Sequence, residues 1–239
     1  MLHRLTRAST AAAAAALALG LAGCGSSSGA PAATQVAAPT TSTPAAAPSP
    51  AAEVTRVSLV AGDLATGYTV KLIPGGDQVQ GQVTLDNCGY TFTTEAHRVA
   101  RRQVAIFTPT GARVGAANEV VAYDSPAQAA KALTEFRASV QRCPKGVFEQ
   151  SNVAGTPELR YDASTVATMP GLPVQDNAVA TIAVTAKGSG QRLYGVLIFQ
   201  RQGSVLDGVY LQSPTKPTAA DIAALRALAA ITGKRLAAI

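Results

Sequence analysis

The clearest pattern in the chain is a set of three strand-like stretches between residues 178 and 212. Residues 178–187 alternate between apolar and polar side chains, residues 193–200 are almost all apolar, and residues 205–212 follow as a third stretch. A period of two indicates a half-buried β-strand, and a short apolar run indicates a central one. The connections are so short that they allow only antiparallel neighbours. The sequence therefore predicts a three-stranded antiparallel meander.

Two helices are predicted from their start signals. Thr218, with Asp221 three residues later, resembles a capping box. The apolar positions that follow share one helix face, and they are Ile222, Leu225, Leu228, Ala229, Thr232 and, after Gly233, Leu236. Ser125 and Pro126 combine an N-cap with proline at the first helical position. That helix is predicted to run to about Arg142, with an inner stripe of Ala129, Leu133, Phe136 and Val140.

The earlier part of the folded region also contains predicted strands and a short helix. Residues 99–108 and 114–124 are predicted to be two strands joined through residues 109–111. Residues 57–64 lead through a short helix into residues 67–70, which are predicted to form an edge strand. The fold class expected from these elements is α+β, with a single antiparallel sheet packed by two main helices and one disulfide.

The first 23 residues have the pattern of a bacterial export signal. A short basic start is followed by an uncharged run rich in Ala and Leu, and the sequence Leu-Ala-Gly-Cys closes it at residues 21–24. This ending resembles the lipobox of lipoprotein signal peptides, in which the cysteine sulfur receives a diacylglyceryl group before cleavage. We therefore predict a lipid on Cys24 that anchors the chain in the cell membrane, facing the extracytoplasmic side. The alternative is an ordinary signal peptide with a chance cysteine.

Residues 24–52 have the composition of a tether. After Cys24 this stretch carries no charge and consists almost wholly of Gly, Ala, Ser, Thr and Pro. Such a segment buries too little apolar surface to offset the entropy lost on ordering. The expected organisation is a lipoprotein signal peptide at 1–23, a lipidated cysteine with a disordered tether at 24–52, and one globular domain at 53–239. The heavy use of alanine suggests a GC-rich genome such as that of an actinobacterium.

With Cys24 assigned to the anchor, Cys88 and Cys143 remain. Two cysteines in an oxidising compartment most economically form one disulfide. Closing a span of 55 residues contributes about 4 kcal/mol on the chain-entropy model. Free thiols and a metal site are the alternatives. Zinc would need further Cys or His ligands, and His97 is the only histidine of the mature chain. We predict the disulfide, with no metal and no cofactor.

The mature chain carries a mild positive charge. The full sequence has 20 Lys and Arg against 14 Asp and Glu, and loss of Arg4 and Arg7 with the signal peptide leaves a net charge of +4. This excess would favour an anionic headgroup or a cell-wall polymer, although a solvated surface is the simpler interpretation. Nucleic acid is not an expected partner outside the membrane. The expected partners are the membrane, through the Cys24 lipid, and an unidentified ligand or protein of the envelope.

No catalytic motif stands out in the sequence. His97 is the one candidate imidazole, but no Gly-x-Ser-x-Gly elbow accompanies it. Its neighbours Glu95 and Arg98 indicate an exposed turn or strand end. The glycine-rich stretches lack the lysine context of a phosphate-binding loop. We therefore predict no catalytic residue and no enzymatic activity; an envelope hydrolase that uses His97 is the less favoured alternative.

Five polar residues are the candidate ligand-binding positions. Arg98, Arg101 and Arg102 form the densest charge cluster and would suit a carboxylate, a phosphate or a lipid headgroup. The simpler interpretation is a solvated strand edge whose charges discourage aggregation. Asn118 and Glu119 begin an otherwise apolar strand, where they could line a cleft.

Short motifs in the folded part resemble those of one protein group. They are Asp63-Leu64, Gly67-Tyr68, Cys88-Gly89, Asn118-Glu119-Val120-Val121, Tyr123 and Cys143-Pro144. They look like actinobacterial sensor-domain lipoproteins, a group similar to the extracellular sensor domain of the mycobacterial serine/threonine kinase PknH. The resemblance covers most of residues 53–239. Relatives of that kinase domain usually have two disulfides and tryptophan, whereas this chain allows one disulfide and has no tryptophan. The resemblance implies a sensor-like fold with a ligand-binding role.

The expected function is therefore that of an extracytoplasmic lipoprotein whose domain binds a ligand or partner at the cell envelope. A lipid or glycolipid carrier is the first alternative, and it predicts an apolar cavity between the helices and the sheet. A hydrolase predicts that His97 faces a pocket with a carboxylate and a hydroxyl in reach. A purely structural or interaction module predicts no cavity and an exposed apolar patch instead.

Overall fold

Eight strands pair into one sheet in the computed structural model, which describes residues 48–151 and 155–239. In chain order they are β1 Thr69–Leu72, β2 Arg98–Phe107, β3 Arg113–Tyr123, β4 Phe148–Glu149, β5 Leu159–Ala167, β6 Asp176–Ala186, β7 Arg192–Gln202 and β8 Val205–Ser213. Their order across the sheet is β1-β2-β3-β8-β7-β6-β5-β4, and every neighbouring pair is antiparallel. The predicted single antiparallel sheet is confirmed. The predicted export signal, Cys24 and nearly all of the tether lie outside the described residues.

The meander predicted near the C-terminus is present as β6, β7 and β8. Its second hairpin pairs Gln202 with Val205 across two turn residues. Gly203 is the first of these and adopts a φ of +52°, which glycine reaches without steric cost. β8 then pairs with β3. The meander is thereby joined to the β2–β3 hairpin, so that the two predicted halves form one continuous sheet.

Three α-helices pack on this sheet: α1 Pro50–Val57, α2 Pro126–Gln141 and α3 Ala219–Leu236. Ser125 accepts a hydrogen bond from the backbone of Gln128, and Thr218 forms a capping box with Asp221, as the sequence predicted. The expected packing by two main helices is not confirmed as stated, because α1 also contacts β2 and β3. None of the helices in the described ranges is long and apolar enough to cross a bilayer.

Alternation along the strands gives the sheet two apolar faces. The α2 face carries Val121, Phe199 and Leu206, which pack with Leu133 and Phe136 of α2. The α3 face carries the residues next to them in sequence, including Val120 and Ile198, and its partners come from α1 and α3. Each face is thus covered by helix on part of its area.

The predicted disulfide between Cys88 and Cys143 is confirmed, with an S–S distance of 2.10 Å. Cys143 follows the end of α2, and Cys88 lies in the long connection between β1 and β2. The bond therefore fastens this connection to the helix that covers the same face of the sheet.

Two further features of the structure lie outside the sequence predictions. α1 begins at Pro50 with Ser49 as its N-cap, so ordered structure starts before the expected domain boundary at residue 53. β4 and β5 were not predicted. In β5 the pairing with β6 shifts between Tyr161 and Ala163, and this bulge disrupts the period-two pattern on which recognition of a strand depends.

Candidate functional site

An apolar cavity lies between α3 and the α3 face of the sheet. Its volume is about 80 Å³. The walls come from five separate parts of the chain, and the side chains that define them include Leu64, Tyr68, Ile106, Leu211, Leu225 and Leu228. Gly115 also lines the cavity and is exposed, so the lining reaches the molecular surface.

Asp221 is the one charged residue among those that line the cavity. Its carboxylate accepts hydrogen bonds from the backbone N–H of Thr218 at 2.9 Å and from the Thr218 hydroxyl at 2.8 Å. Both hydrogen bonds hold the pKa of Asp221 below its usual value, and the bond from the backbone N–H has the larger effect. The carboxylate thus remains charged and is engaged by the helix cap, which leaves an apolar interior with one polar group at its rim.

The cavity is small compared with known ligand-binding voids. A cavity of roughly 150 Å³ lined by Leu, Ile and Phe binds benzene. The present volume of about 80 Å³ is about half as large. It accommodates a few carbon atoms, such as the end of an acyl chain, but it does not enclose a whole lipid tail.

A buried polar network fixes α3 on the sheet beside this cavity. Asp207 of β8 is fully buried. Its Oδ1 accepts a hydrogen bond from Asn118 Nδ2 at 2.6 Å, and its Oδ2 accepts from Gln200 Nε2 at 2.6 Å and Thr232 Oγ1 at 2.5 Å. Burial raises the pKa of Asp207 to about 6, although these three hydrogen bonds favour the charged form. The network ties β3, β7 and β8 to α3.

The same network holds the other wall of the cavity. Asn118 Oδ1 accepts from the backbone N–H of Leu59 at 3.0 Å. Arg235 of α3 binds both carboxylate oxygens of Asp63, at 2.9 and 2.5 Å, and the carbonyl of Ser58 at 2.9 Å. These contacts secure residues 58–63, and Leu64, which lines the cavity, follows directly.

Gly233 allows α3 to approach the network closely. A Cβ at this position would lie 2.6 Å from Gln200 Oε1, well inside van der Waals contact. The glycine is therefore retained inside a helix, where it would otherwise be unfavourable.

Arg101 and Glu119, two of the predicted ligand-binding residues, form a buried ion pair on the α2 face. Arg101 Nε lies 2.5 Å from Glu119 Oε1. The rest of its guanidinium donates to the carbonyl of Gly75 at 3.0 Å and to Gln103 Oε1 at 2.5 Å. Burial raises the pKa of Glu119, and the charge and hydrogen bond of Arg101 oppose that shift. An anionic ligand would have to displace these internal partners.

Arg98 is also engaged by the protein. Its guanidinium donates to Thr84 Oγ1 at 2.9 Å and to the carbonyls of Val79 and Gln82 at 3.3 and 2.5 Å. Glu95 lies 3.3 Å from it. Arg98 and Arg101 therefore hold the connection between β1 and β2 against the sheet.

The five predicted residues do not form one site. Arg98, Arg101 and Glu119 lie on the α2 face, whereas Asn118 belongs to the Asp207 network on the opposite face. Arg102 is next to Arg101 in β2 and alternates to the α3 face, where it is half-buried. Ligand binding by these residues stays a prediction.

His97 forms an exposed pair with Asp124. The Nδ1 atom of the imidazole lies 2.7 Å from Asp124 Oδ2. The nearby hydroxyl of Ser125 donates to Asp124 Oδ1 at 3.1 Å, so it contacts the carboxylate rather than the imidazole. A Ser-His-Asp triad needs the hydroxyl on the second imidazole nitrogen. His97 is not among the residues that line the cavity. Across the described ranges, no three His, Cys, Asp or Glu side chains are grouped to hold a metal ion.

The cavity residues were not proposed as a site from the sequence. Leu225 and Leu228 were predicted as the inner face of a helix, and Leu64 and Tyr68 were noted as motif residues only. Nothing in the local sequence shows that these two segments meet over Ile106 and Leu211, since that depends on the pairing of β2, β3 and β8.

Comparisons with known proteins give a structural likeness and no sequence match. No protein-family model matches the chain, and no curated protein matches its sequence. Among solved structures, the chain is similar to the extracellular domain of PknH from Mycobacterium tuberculosis, with 14% sequence identity and a TM-score of 0.47. The match covers 79% of this chain and 97% of that domain. At this level the likeness establishes neither a family nor a function.

Proposed function

We propose that this protein is a lipid-anchored extracytoplasmic lipoprotein whose domain binds a small apolar group in the α3 cavity without catalysing a reaction. The observation that carries the proposal is the cavity of about 80 Å³, whose lining is mainly apolar and includes the polar groups of Asp221 and Tyr68. Preformed concave sites with mainly apolar walls and few polar groups are typical of small-molecule binding.

The chemistry of the lining supports binding rather than catalysis. Asp221 is engaged by its own helix cap, so it is not poised as a general base. Tyr68 carries the one other titratable side chain in the lining. The pair of His97 and Asp124 does not line the cavity, and among the described residues the hydroxyl of Ser125 contacts the carboxylate rather than the imidazole.

The volume of the cavity favours a particular kind of ligand. The end of a saturated or methyl-branched chain fits, while the rest of the molecule would remain outside the protein. This supports a sensor-like domain that recognises an accessible chain end, in preference to a carrier that encloses its cargo. The extracytoplasmic location is supported by the Cys88–Cys143 disulfide, because such bonds persist in oxidising compartments.

The ligand proposal is tested by titrating a fluorescent medium-chain fatty acid into the mature chain carrying Cys24→Ser. Ala224 lines the cavity, and Ala227, one turn away on the same helix, is exposed. Ala224→Leu adds three carbon atoms to the cavity and is expected to weaken binding at least tenfold. Ala227→Leu makes the same change on the solvent side and should bind like wild type. Equal binding by all three proteins would refute the cavity as the site.

The anchor is tested separately in cells. Cys24→Ala is expected to move the protein from the membrane fraction to the soluble extracytoplasmic fraction, as measured by detergent partition. A variant that remained in the membrane fraction would contradict the lipid assignment, whatever the cavity binds.

A further inference from the structure

One edge of the sheet exposes apolar side chains in a basic setting. Val147 is 53% exposed, and Phe148, the first residue of the edge strand β4, is 36% exposed. They are neighbours in sequence where the chain enters this edge strand, and we call the two exposed side chains the apolar projection. Large apolar side chains exposed next to each other mark interaction surfaces more often than isolated ones do.

Cationic side chains surround this projection. Lys145 is exposed, precedes Val147 by two positions, and makes no ion pair within the described parts of the chain. Arg160 and Lys187 lie over the Phe148 ring, at 5.6 and 5.8 Å from its centroid. Together these residues define what we call the basic edge: Lys145, Val147, Phe148, Arg160 and Lys187.

The acidic partners of these cations lie deeper than the cations themselves. The side chain of Lys187 is 56% exposed, whereas that of its partner Glu158 is 32% exposed. Arg160 pairs with Asp162, which is again the more buried member of the pair. The two paired cations of the basic edge are therefore more exposed than the carboxylates with which they pair.

We propose that the basic edge docks on an anionic phospholipid bilayer. The exposed cations match the charge of lipid phosphates, and Val147 and Phe148 are placed to enter the headgroup region between them. The apolar projection favours a bilayer over a soluble anionic polymer, because only the bilayer provides an apolar phase beneath its charged surface.

This inference goes beyond the ligand cavity and does not depend on the Cys24 lipid. The basic edge is at the β4 end of the sheet, whereas the cavity is lined by β2, β3 and β8. Binding of the domain to a bilayer can therefore be measured with a chain that lacks the Cys24 lipid and whose α3 cavity is occupied.

The test is co-sedimentation of the mature Cys24→Ser chain with vesicles of phosphatidylcholine and phosphatidylglycerol in equal amounts. We expect binding that weakens with added salt and is lost on vesicles of phosphatidylcholine alone. Lys145→Glu is expected to lower the affinity by about tenfold or more, because each basic side chain near an anionic surface contributes about a fivefold change. Replacing Val147 and Phe148 together by Ser should lower it by a similar factor.

The opposite edge of the sheet provides matched controls. β1 exposes Lys71 and Leu72, with Leu72 40% exposed. Lys71→Glu and Leu72→Ser change the same kinds of side chain at the other edge, and both should bind vesicles within about twofold of wild type. Circular dichroism verifies that all variants remain folded, as expected for changes at exposed positions.

Three results would overturn the proposal. The first is no binding to anionic vesicles by the unmodified chain. The second is an equal loss of vesicle binding in the variants at the two edges of the sheet. The third is full vesicle binding by the Val147→Ser/Phe148→Ser variant together with displacement of the protein from vesicles by dextran sulfate. That result would identify the surface as a site for soluble polyanions.

Discussion

Each face of the sheet buries a carboxylate, and the two carboxylates have different partners. Glu119 on the α2 face has the guanidinium of Arg101 at 2.5 Å. Asp207 on the α3 face is contacted by the neutral donors Asn118, Gln200 and Thr232. Among the described residues, the charge of Arg235 also lowers the pKa of Asp207, with a smaller effect than each hydrogen bond. One face therefore relies on an ion pair and the other on a neutral hydrogen-bond network.

This difference affects both stability and the response to pH. A buried carboxylate next to a guanidinium is charge-compensated, and removal of the cation leaves an isolated charge. Burial raises the pKa of both carboxylates, but Asp207 is held mainly by neutral donors, so protonation at mildly acidic pH relieves its desolvation. The cavity lies on the second face, where the network that positions its walls contains this titrating group.

The largest effect is expected from Arg101→Met. Glu119 would remain buried without its cation, and the loss of unfolding free energy should be about 3–5 kcal/mol, measured by urea denaturation. Arg102→Met is the matched control on the same strand, because Arg102 is half-buried and makes no ion pair with the described residues. It should change stability by less than about 1 kcal/mol.

A double change sharpens this result. Adding Glu119→Gln to Arg101→Met removes the uncompensated charge and should restore part of the lost stability. A double variant less stable than Arg101→Met would show that packing, rather than the unpaired charge, dominates the loss.

The second effect concerns pH and Asp207. Its folded-state pKa of about 6 lies above the ordinary value of 3.8. Between these two values the folded state holds a proton that the unfolded state has lost. The contribution of Asp207 to stability therefore falls as pH rises through this window and is constant above it. Asp207→Asn keeps the shape of the side chain and lacks its charge. As the pH rises from 4 to 7, the unfolding free energy of this variant should therefore increase by about 2 kcal/mol relative to that of the wild type.

The measurement is urea denaturation of both proteins across this pH range. Carboxylates with lowered pKa values, such as Asp162 and Asp176, contribute in the opposite direction, but they are shared by both proteins and cancel in the difference. If the difference in unfolding free energy between the wild type and the variant did not vary with pH, Asp207 would not titrate in this window.

The smallest effect is expected from filling the cavity. Ala224→Leu should raise the unfolding free energy by about 0.5–2 kcal/mol, because the new side chain occupies apolar space beside α3. Ala227→Leu, on the exposed side of the helix, should stay within about 0.5 kcal/mol of wild type. A destabilised Ala224→Leu variant would indicate that the walls cannot accept a larger group.

Local signals in the sequence predicted much of this fold. Ser125 with Pro126, and Thr218 with Asp221, mark helix starts through contacts within one turn, so α2 and α3 could be predicted. Ser49 and Pro50 carry the same kind of signal for α1. They were missed because the surrounding composition is that of a tether.

The site itself could not be predicted, because it depends on contacts between distant segments. Asn118 and Glu119 are neighbours in sequence, yet alternation along β3 sends them to opposite faces and into different networks. The cavity needs Leu64, Ile106 and Leu225 to meet, which depends on strand order and helix placement. Periodicity could have separated Asn118 from Glu119, but it gives no information on what covers each face.

We expect the α3 cavity to hold an apolar group in the natural setting of the protein. The most direct test is native mass spectrometry of the mature Cys24→Ser chain, secreted by an actinobacterial host and purified without detergent, together with its Ala224→Leu and Ala227→Leu variants. We predict a reproducible added mass on the Cys24→Ser protein and on Ala227→Leu that is lost from Ala224→Leu. An added mass that persists in Ala224→Leu, or a ligand-free mass for all three proteins, would contradict the cavity as a binding site.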